Sequence, residues 1–112
     1  MEKQFIAILT KEAENQLIEL PDEFKERIAE AIKTFEYVGT YYKNLNNLGD
    51  GLFEIKPKGV RAYFMYDKVL RKVIIIGFIC LKKTQKAPKQ YIKQARINIK
   101  KYIEQRQEVN NG

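Results

Sequence analysis

Apolar residues recur along this chain with two different periods. Phe5-Ile6-Ala7-Ile8-Leu9 is a short continuous run that predicts a buried strand, and Thr10 follows as a helix N-cap ahead of Lys11-Glu12-Ala13-Glu14. Ala13, Leu17 and Leu20 mark one helical face. Pro21 interrupts that helix and, at a first helical position, opens another, with Asp22 and Glu23 where the helix dipole favours acids. Phe24, Ile28, Ala31, Ile32 and Phe35 then recur at helical spacing, leaving Glu26, Glu30 and Lys33 in water, until Gly39 supplies the stop. An acidic helical hairpin is the expectation.

From Gly39 to Gly51 the chain is rich in Asn, Tyr and Gly, a composition that predicts a loop. Three strands follow, Leu52 to Lys56, Val60 to Tyr66 and Lys72 to Cys80, separated by Pro57-Lys58-Gly59 and by Asp67-Lys68-Val69-Leu70-Arg71. Both connections are short enough for antiparallel hairpins. In the middle strand, alternation puts Val60, Ala62, Phe64 and Tyr66 on one face and Arg61, Tyr63 and Met65 on the other. The last strand, Val73 to Ile79, is apolar on both faces, so it must be covered on both sides. After Pro88 the helical period returns, with Ile92, Ala95, Ile99 and Ile103 on one stripe and Lys89, Lys93, Arg96 and Lys100 on another. The order predicts an α+β domain: an antiparallel sheet, an N-terminal helical hairpin and a C-terminal basic helix. One domain over 1–106 and a frayed polar tail over 107–112 are expected.

Charge sharpens this picture. The net charge of +7 is unevenly distributed: residues 1–50 carry six Lys/Arg against ten Asp/Glu, and residues 51–112 carry fifteen against four. From Lys82 to Lys101 there are eight basic residues and no acidic ones. A run this long and one-signed attracts phosphate backbones more readily than it serves as a merely solvated face. With no histidine and a single cysteine, Cys80, at the end of an apolar strand, the chain has neither a nucleophile–base pair nor a metal-ligating spacing, so no metal or cofactor is expected. The start Met1-Glu2-Lys3-Gln4 lacks the features of a signal peptide, and no apolar run approaches a membrane span, so the expectation is a cytoplasmic protein.

The candidate chemistry lies in Glu54-Ile55-Lys56-Pro57-Lys58-Gly59-Val60-Arg61-Ala62-Tyr63 and in the loop Leu81-Lys82-Lys83-Thr84-Gln85-Lys86-Ala87-Pro88. A hairpin places Lys56 and Lys58 around a turn and returns Arg61 and Tyr63 on one strand face. Arginine can hold a phosphate with a planar fork, lysine neutralises it, and tyrosine stacks on a base or moves a proton. The competing reading is an edge hairpin whose lysines prevent aggregation, with Arg61 in a surface ion pair.

The phrase Leu52-Phe53-Glu54-Ile55-Lys56 through Phe64, with Ile76-Gly77-Phe78 and Lys82-Lys83-Thr84-Gln85-Lys86-Ala87-Pro88, resembles the HigB branch of the RelE/ParE toxin superfamily. The resemblance covers nearly the whole chain. It implies a microbial-RNase-like fold and a toxin of a type II toxin–antitoxin pair, an endoribonuclease that cuts messenger RNA on the ribosome and is silenced by a cognate antitoxin. It assigns Arg61 to stabilising charge on the scissile phosphate, matches Lys56 and Lys58 to the family's hairpin bases and places Lys83 among its cations after the last strand; Tyr63, beside Arg61 on the strand face, completes the expected catalytic group. Lys82, Lys86, Lys89, Lys93 and Arg96 would bind RNA, while Tyr91 suits a packed helix position as well as a site. HigB members with a histidine in the site differ here. The superfamily also contains ParE-type toxins that inhibit DNA gyrase, so a basic binding module without catalysis stays open. An antitoxin is expected to cover the basic surface with an acidic or helical segment.

Overall fold

The computed structural model describes residues 2–111, with side chains through Gln107. Strand β1 (Ile6–Leu9) leads into helices α1 (Lys11–Glu19) and α2 (Asp22–Val38). Strands β2 (Leu45–Gly49), β3 (Leu52–Ile55), β4 (Val60–Tyr66) and β5 (Val73–Leu81) follow, and helix α3 (Lys89–Asn111) ends the chain. Thr10 caps α1 as expected, its hydroxyl oxygen accepting the Ala13 N–H at 3.2 Å. Pro21 sits one residue earlier than expected, as the N-cap of α2, and Gly39 ends that helix with φ +59°. Of the tail expected to fray, the side chains of 108–111 and all of residue 112 lie outside the described residues.

The sheet has the order β1-β5-β4-β3-β2. Its β2–β3–β4–β5 part is antiparallel, but β1 pairs in parallel with β5, an arrangement that requires the intervening chain to cross between the two. The free side of β1 is blunted by α2. The Glu36 carbonyl accepts the Gln4 and Phe5 N–H groups, and its carboxylate accepts the Ala7 N–H at 2.9 Å. Strand β2 lies inside the segment expected to be a loop. Its Asn-rich sequence has weak strand propensity, and it becomes a strand by pairing with β3 across the turn Gly49-Asp50-Gly51, where all three residues have positive φ.

Strand β5 is covered on both faces. Ile28, Ala31, Ile32 and Phe35 of α2 pack with Val60, Ala62, Phe64, Ile74, Ile76 and Ile79 on one side. On the other, Ala95 and Ile99 of α3 pack with Leu52, Tyr63 and Ile75. Ile75 and Ile79 have the same parity but lie on opposite faces because a bulge intervenes: Tyr63 pairs with Phe78 and Phe64 with Ile76, leaving Gly77 unpaired. At that point α3 comes closest. A Cβ on Gly77 would stand 2.6 Å from the Ala95 carbonyl oxygen, and the Asn98 amide donates to the Gly77 carbonyl at 2.8 Å. Downstream of the bulge, Phe78 and Cys80 are turned toward α3 and the catalytic candidates.

Gly77→Val should therefore push α3 off the sheet and cost about 1–3 kcal/mol, the usual range for overpacking. Urea denaturation measures this; unchanged stability would show that the close approach at Gly77 is dispensable.

Candidate functional site

One end of the sheet gathers most of the candidate residues. The β3–β4 turn, Lys56-Pro57-Lys58-Gly59, is tied to its surroundings through backbone groups: the Lys56 N–H donates to the Asn44 carbonyl at 2.8 Å and the Lys82 N–H to the Gly59 carbonyl at 2.9 Å. The second bond brings the chain leaving β5 against the turn. Gly59 has φ +83°, and a Cβ there would lie 2.6 Å from the Phe24 ring, so a glycine is required on both counts. Arg27 of α2 donates to the Lys58 carbonyl at 2.9 Å and pairs with Glu23. No local pattern announces Arg27 as a neighbour of this turn; only the docking of α2 on the sheet brings it there.

Arg61 leaves β4 directly beneath the turn. Its Nη1 donates to the Pro57 and Val60 carbonyls, both at 2.9 Å, and its Nε lies 3.8 Å from the Glu54 carboxylate. The two side chains are only 11% and 5% exposed, so this is a largely buried pair and not the surface ion pair of the competing reading. The other Glu54 oxygen accepts from the Asn46 amide at 2.8 Å. Asn46, Glu54 and Arg61 thus link three adjacent strands, with Arg61 Nη2 making no hydrogen bond to the described residues. Asn46 was hidden because its strand has a loop's composition.

The other candidates separate into two groups. Lys56, Lys58, Lys82, Lys83, Lys86, Lys89 and Lys93 are exposed, on the turn, the loop after β5 and the first turns of α3. Tyr63 is buried, 1% exposed, with its ring stacked on Phe78 at 6.0 Å. Burial pushes its phenol well above the usual range, and the neighbouring Cys80 and Glu54 add to the effect. Tyr63 therefore supports the site from below and is not positioned to stack on a base. Cys80 pairs across the strands with Arg61, and burial pushes its thiol up to about 11, in keeping with a packing role. Tyr91 packs on Phe78 with ring centres 4.9 Å apart.

Arg96 lies elsewhere. Its guanidinium donates to the Asp50 and Gly49 carbonyls at 3.0 Å, bracing the β2–β3 turn at the other end of the sheet. The stripe expected on α3 is real, but it runs along the sheet, so Lys89 begins near the turn and Arg96 ends away from it.

The chain has a RelE-like α+β fold. It matches a chain of the toxin–antitoxin complex RelBE2 from Mycobacterium tuberculosis with a TM-score of 0.59 and 16% identity, over 70% of this chain and 98% of that one. By sequence it belongs to the family described as "Phage derived protein Gp49-like (DUF891)", whose model matches residues 15–100. No curated protein matches it. Among the described residues no three His, Cys, Asp or Glu side chains gather as a metal site, and no helix is long and apolar enough to cross a membrane.

Glu54→Gln keeps a partner for Asn46 but leaves Arg61 without its buried counter-charge, so a loss of about 3 kcal/mol is expected. The double variant Glu54→Leu/Arg61→Met, which removes both charges, should recover most of it. Urea denaturation of the cycle closed by the single variants Glu54→Leu and Arg61→Met measures the coupling; strictly additive losses would mean that the pair does not act as a unit.

Proposed function

We propose that this chain is the toxin of a type II toxin–antitoxin pair, of the HigB branch, and a metal-independent endoribonuclease that cuts messenger RNA on the ribosome in the cytoplasm. The observation that carries this reading is Arg61. Its guanidinium is fixed by two carbonyls and Glu54, its Nη2 makes no hydrogen bond to the described residues, and the turn above it and the loop tied to that turn carry exposed lysines. A cation held in this way stabilises charge without reorganising as the reaction proceeds. Membership of the Gp49-like family and the fold shared with a toxin–antitoxin complex support the toxin reading.

The chain offers no histidine and only a half-buried cysteine whose thiol burial pushes up to about 11, so the substrate supplies the nucleophile. The 2′-oxygen attacks the adjacent phosphorus, the bond to the 5′-oxygen breaks, and the products are a 2′,3′-cyclic phosphate and a 5′-hydroxyl. Arg61 Nη2 takes up the negative charge that builds on the phosphate oxygens. The 2′-hydroxyl proton passes to water, and the leaving 5′-oxygen takes a proton from the ammonium of Lys56, Lys58 or Lys83. Lys82, Lys86, Lys89 and Lys93 hold the RNA backbone. A site with no strong base depends on substrate geometry, which the ribosome provides by orienting the messenger. The engagement of Arg61 in a buried network also fits a second reading, a gyrase inhibitor or non-catalytic binding module in which that arginine is purely structural.

Arg61→Ala should slow single-turnover cleavage on programmed ribosomes by about 10² to 10³, as for loss of one preorganised donor, while ribosome binding is largely kept. Because Glu54 would be left unpaired, the same measurement on Arg61→Ala/Glu54→Gln separates chemistry from folding, and Arg61→Lys should recover only part of the rate. Cleavage at the parental rate by the folded variants would assign Arg61 to structure alone.

A further inference from the structure

At the other end of β4 and β5 lies a groove that the catalytic reading does not use. It has a volume of about 450 Å³ and runs between the β4–β5 loop and the second half of α3. Its apolar lining comes from Met65, Val69, Ile99 and Ile103. Val69 is 72% exposed and the adjacent Leu70 44%, and their loop is fixed in place. The Asp67 carboxylate, itself 1% exposed, accepts the Val69 and Leu70 N–H groups at 2.9 and 3.1 Å and is gripped from α3 by Arg106. A largely buried ion pair thus holds Val69 and Leu70 out into water, with Val69 on the rim of an apolar groove, and exposed apolar surface continuous with a groove marks an interaction site.

The charge around the groove indicates what that partner carries. Asp67 and Arg106 neutralise one another. The other charged lining residues are Lys68, Arg96 and Lys100 against Glu104, and Arg71 and Lys72 continue the loop. We infer that this groove docks an acidic amphipathic helix of a protein partner, its apolar side chains between Val69 and Ile103 and its acids against Lys68 and Lys100. The inference stands on the surface alone and holds whether or not the chain cuts RNA. If the partner is the antitoxin of the proposed function, its docking segment lies one strand length, about 20 Å, from the Arg61 turn, not over the lysine cluster where the charge distribution alone would put it.

The test uses the intact chain and a fluorescein-labelled synthetic peptide with leucines at helical spacing and glutamates between them. Anisotropy at physiological salt should show saturable binding, weakened about tenfold or more by Val69→Glu and by Lys100→Glu, both exposed substitutions that leave the core alone. Lys86→Glu, in the loop after β5 at the opposite end of that strand from the groove, should leave it unchanged. A peptide with lysines in place of the glutamates should not bind. Three results overturn the inference: no saturable binding; loss with Lys86→Glu but not with Val69→Glu, which would put the acidic peptide on the lysine cluster; or parental self-association abolished by Val69→Glu, which would make a second copy the occupant.

Discussion

The requirement that organises this protein is that β5 be buried on both faces. Val73 through Ile79 offers no polar side to water, so one cover is not enough: the α1–α2 hairpin supplies the first and α3 the second. Losing a single large side chain from such a core, Phe35 for example, would cost about 3–5 kcal/mol. With both faces occupied, charge is displaced to the two ends of the sheet and to the outer surfaces of the helices. The Arg61 turn and its lysines form at one end, and the Asp67–Arg106 pair with its groove at the other. The bulge at Gly77 reconciles the two covers, turning Ile79 toward α2 and Cys80 toward the Arg61 side within one strand.

Much of this was legible in the residues. The α2 stripe from Phe24 to Phe35, the Thr10 cap, the two C-terminal hairpins and the stripe of α3 rest on local periodicity, and the fold keeps them. What was not legible depends on contacts distant in sequence. Strand β2 exists because β3 is beside it, whereas Asn46, Asn47 and Gly49 read as a loop. The parallel pairing of β1 with β5 follows from how the helices carry the chain back, which no local pattern records.

The candidate site shows the same division. Alternation correctly placed Arg61 and Tyr63 on one face, but it could not tell a buried position from an exposed one, and Tyr63 lies within the core. The basic stripe of α3 was read as one surface, yet Arg96 is spent on the Gly49 and Asp50 carbonyls at the far end. Glu54 was visible as the first residue of the candidate stretch. Its burial, with Asn46 on one oxygen and Arg61 near the other, makes it the counter-charge that holds the guanidinium. Arg61 secures the hairpin through Nη1 and Nε, and the proposed function gives its Nη2 a second role toward the phosphate. A residue occupied in this way is a poor general binding cation but a well-oriented one.

In the proposed mechanism this oriented arginine acts on a phosphate attacked by the substrate's own 2′-hydroxyl. The most direct measurement is the position and chemistry of RNA ends after brief induction in cells. Codon-phased cuts in messenger RNA with 2′,3′-cyclic phosphate and 5′-hydroxyl termini are expected. Cuts bearing 5′-phosphates, or intact RNA in cells whose replication has stopped, would contradict that mechanism.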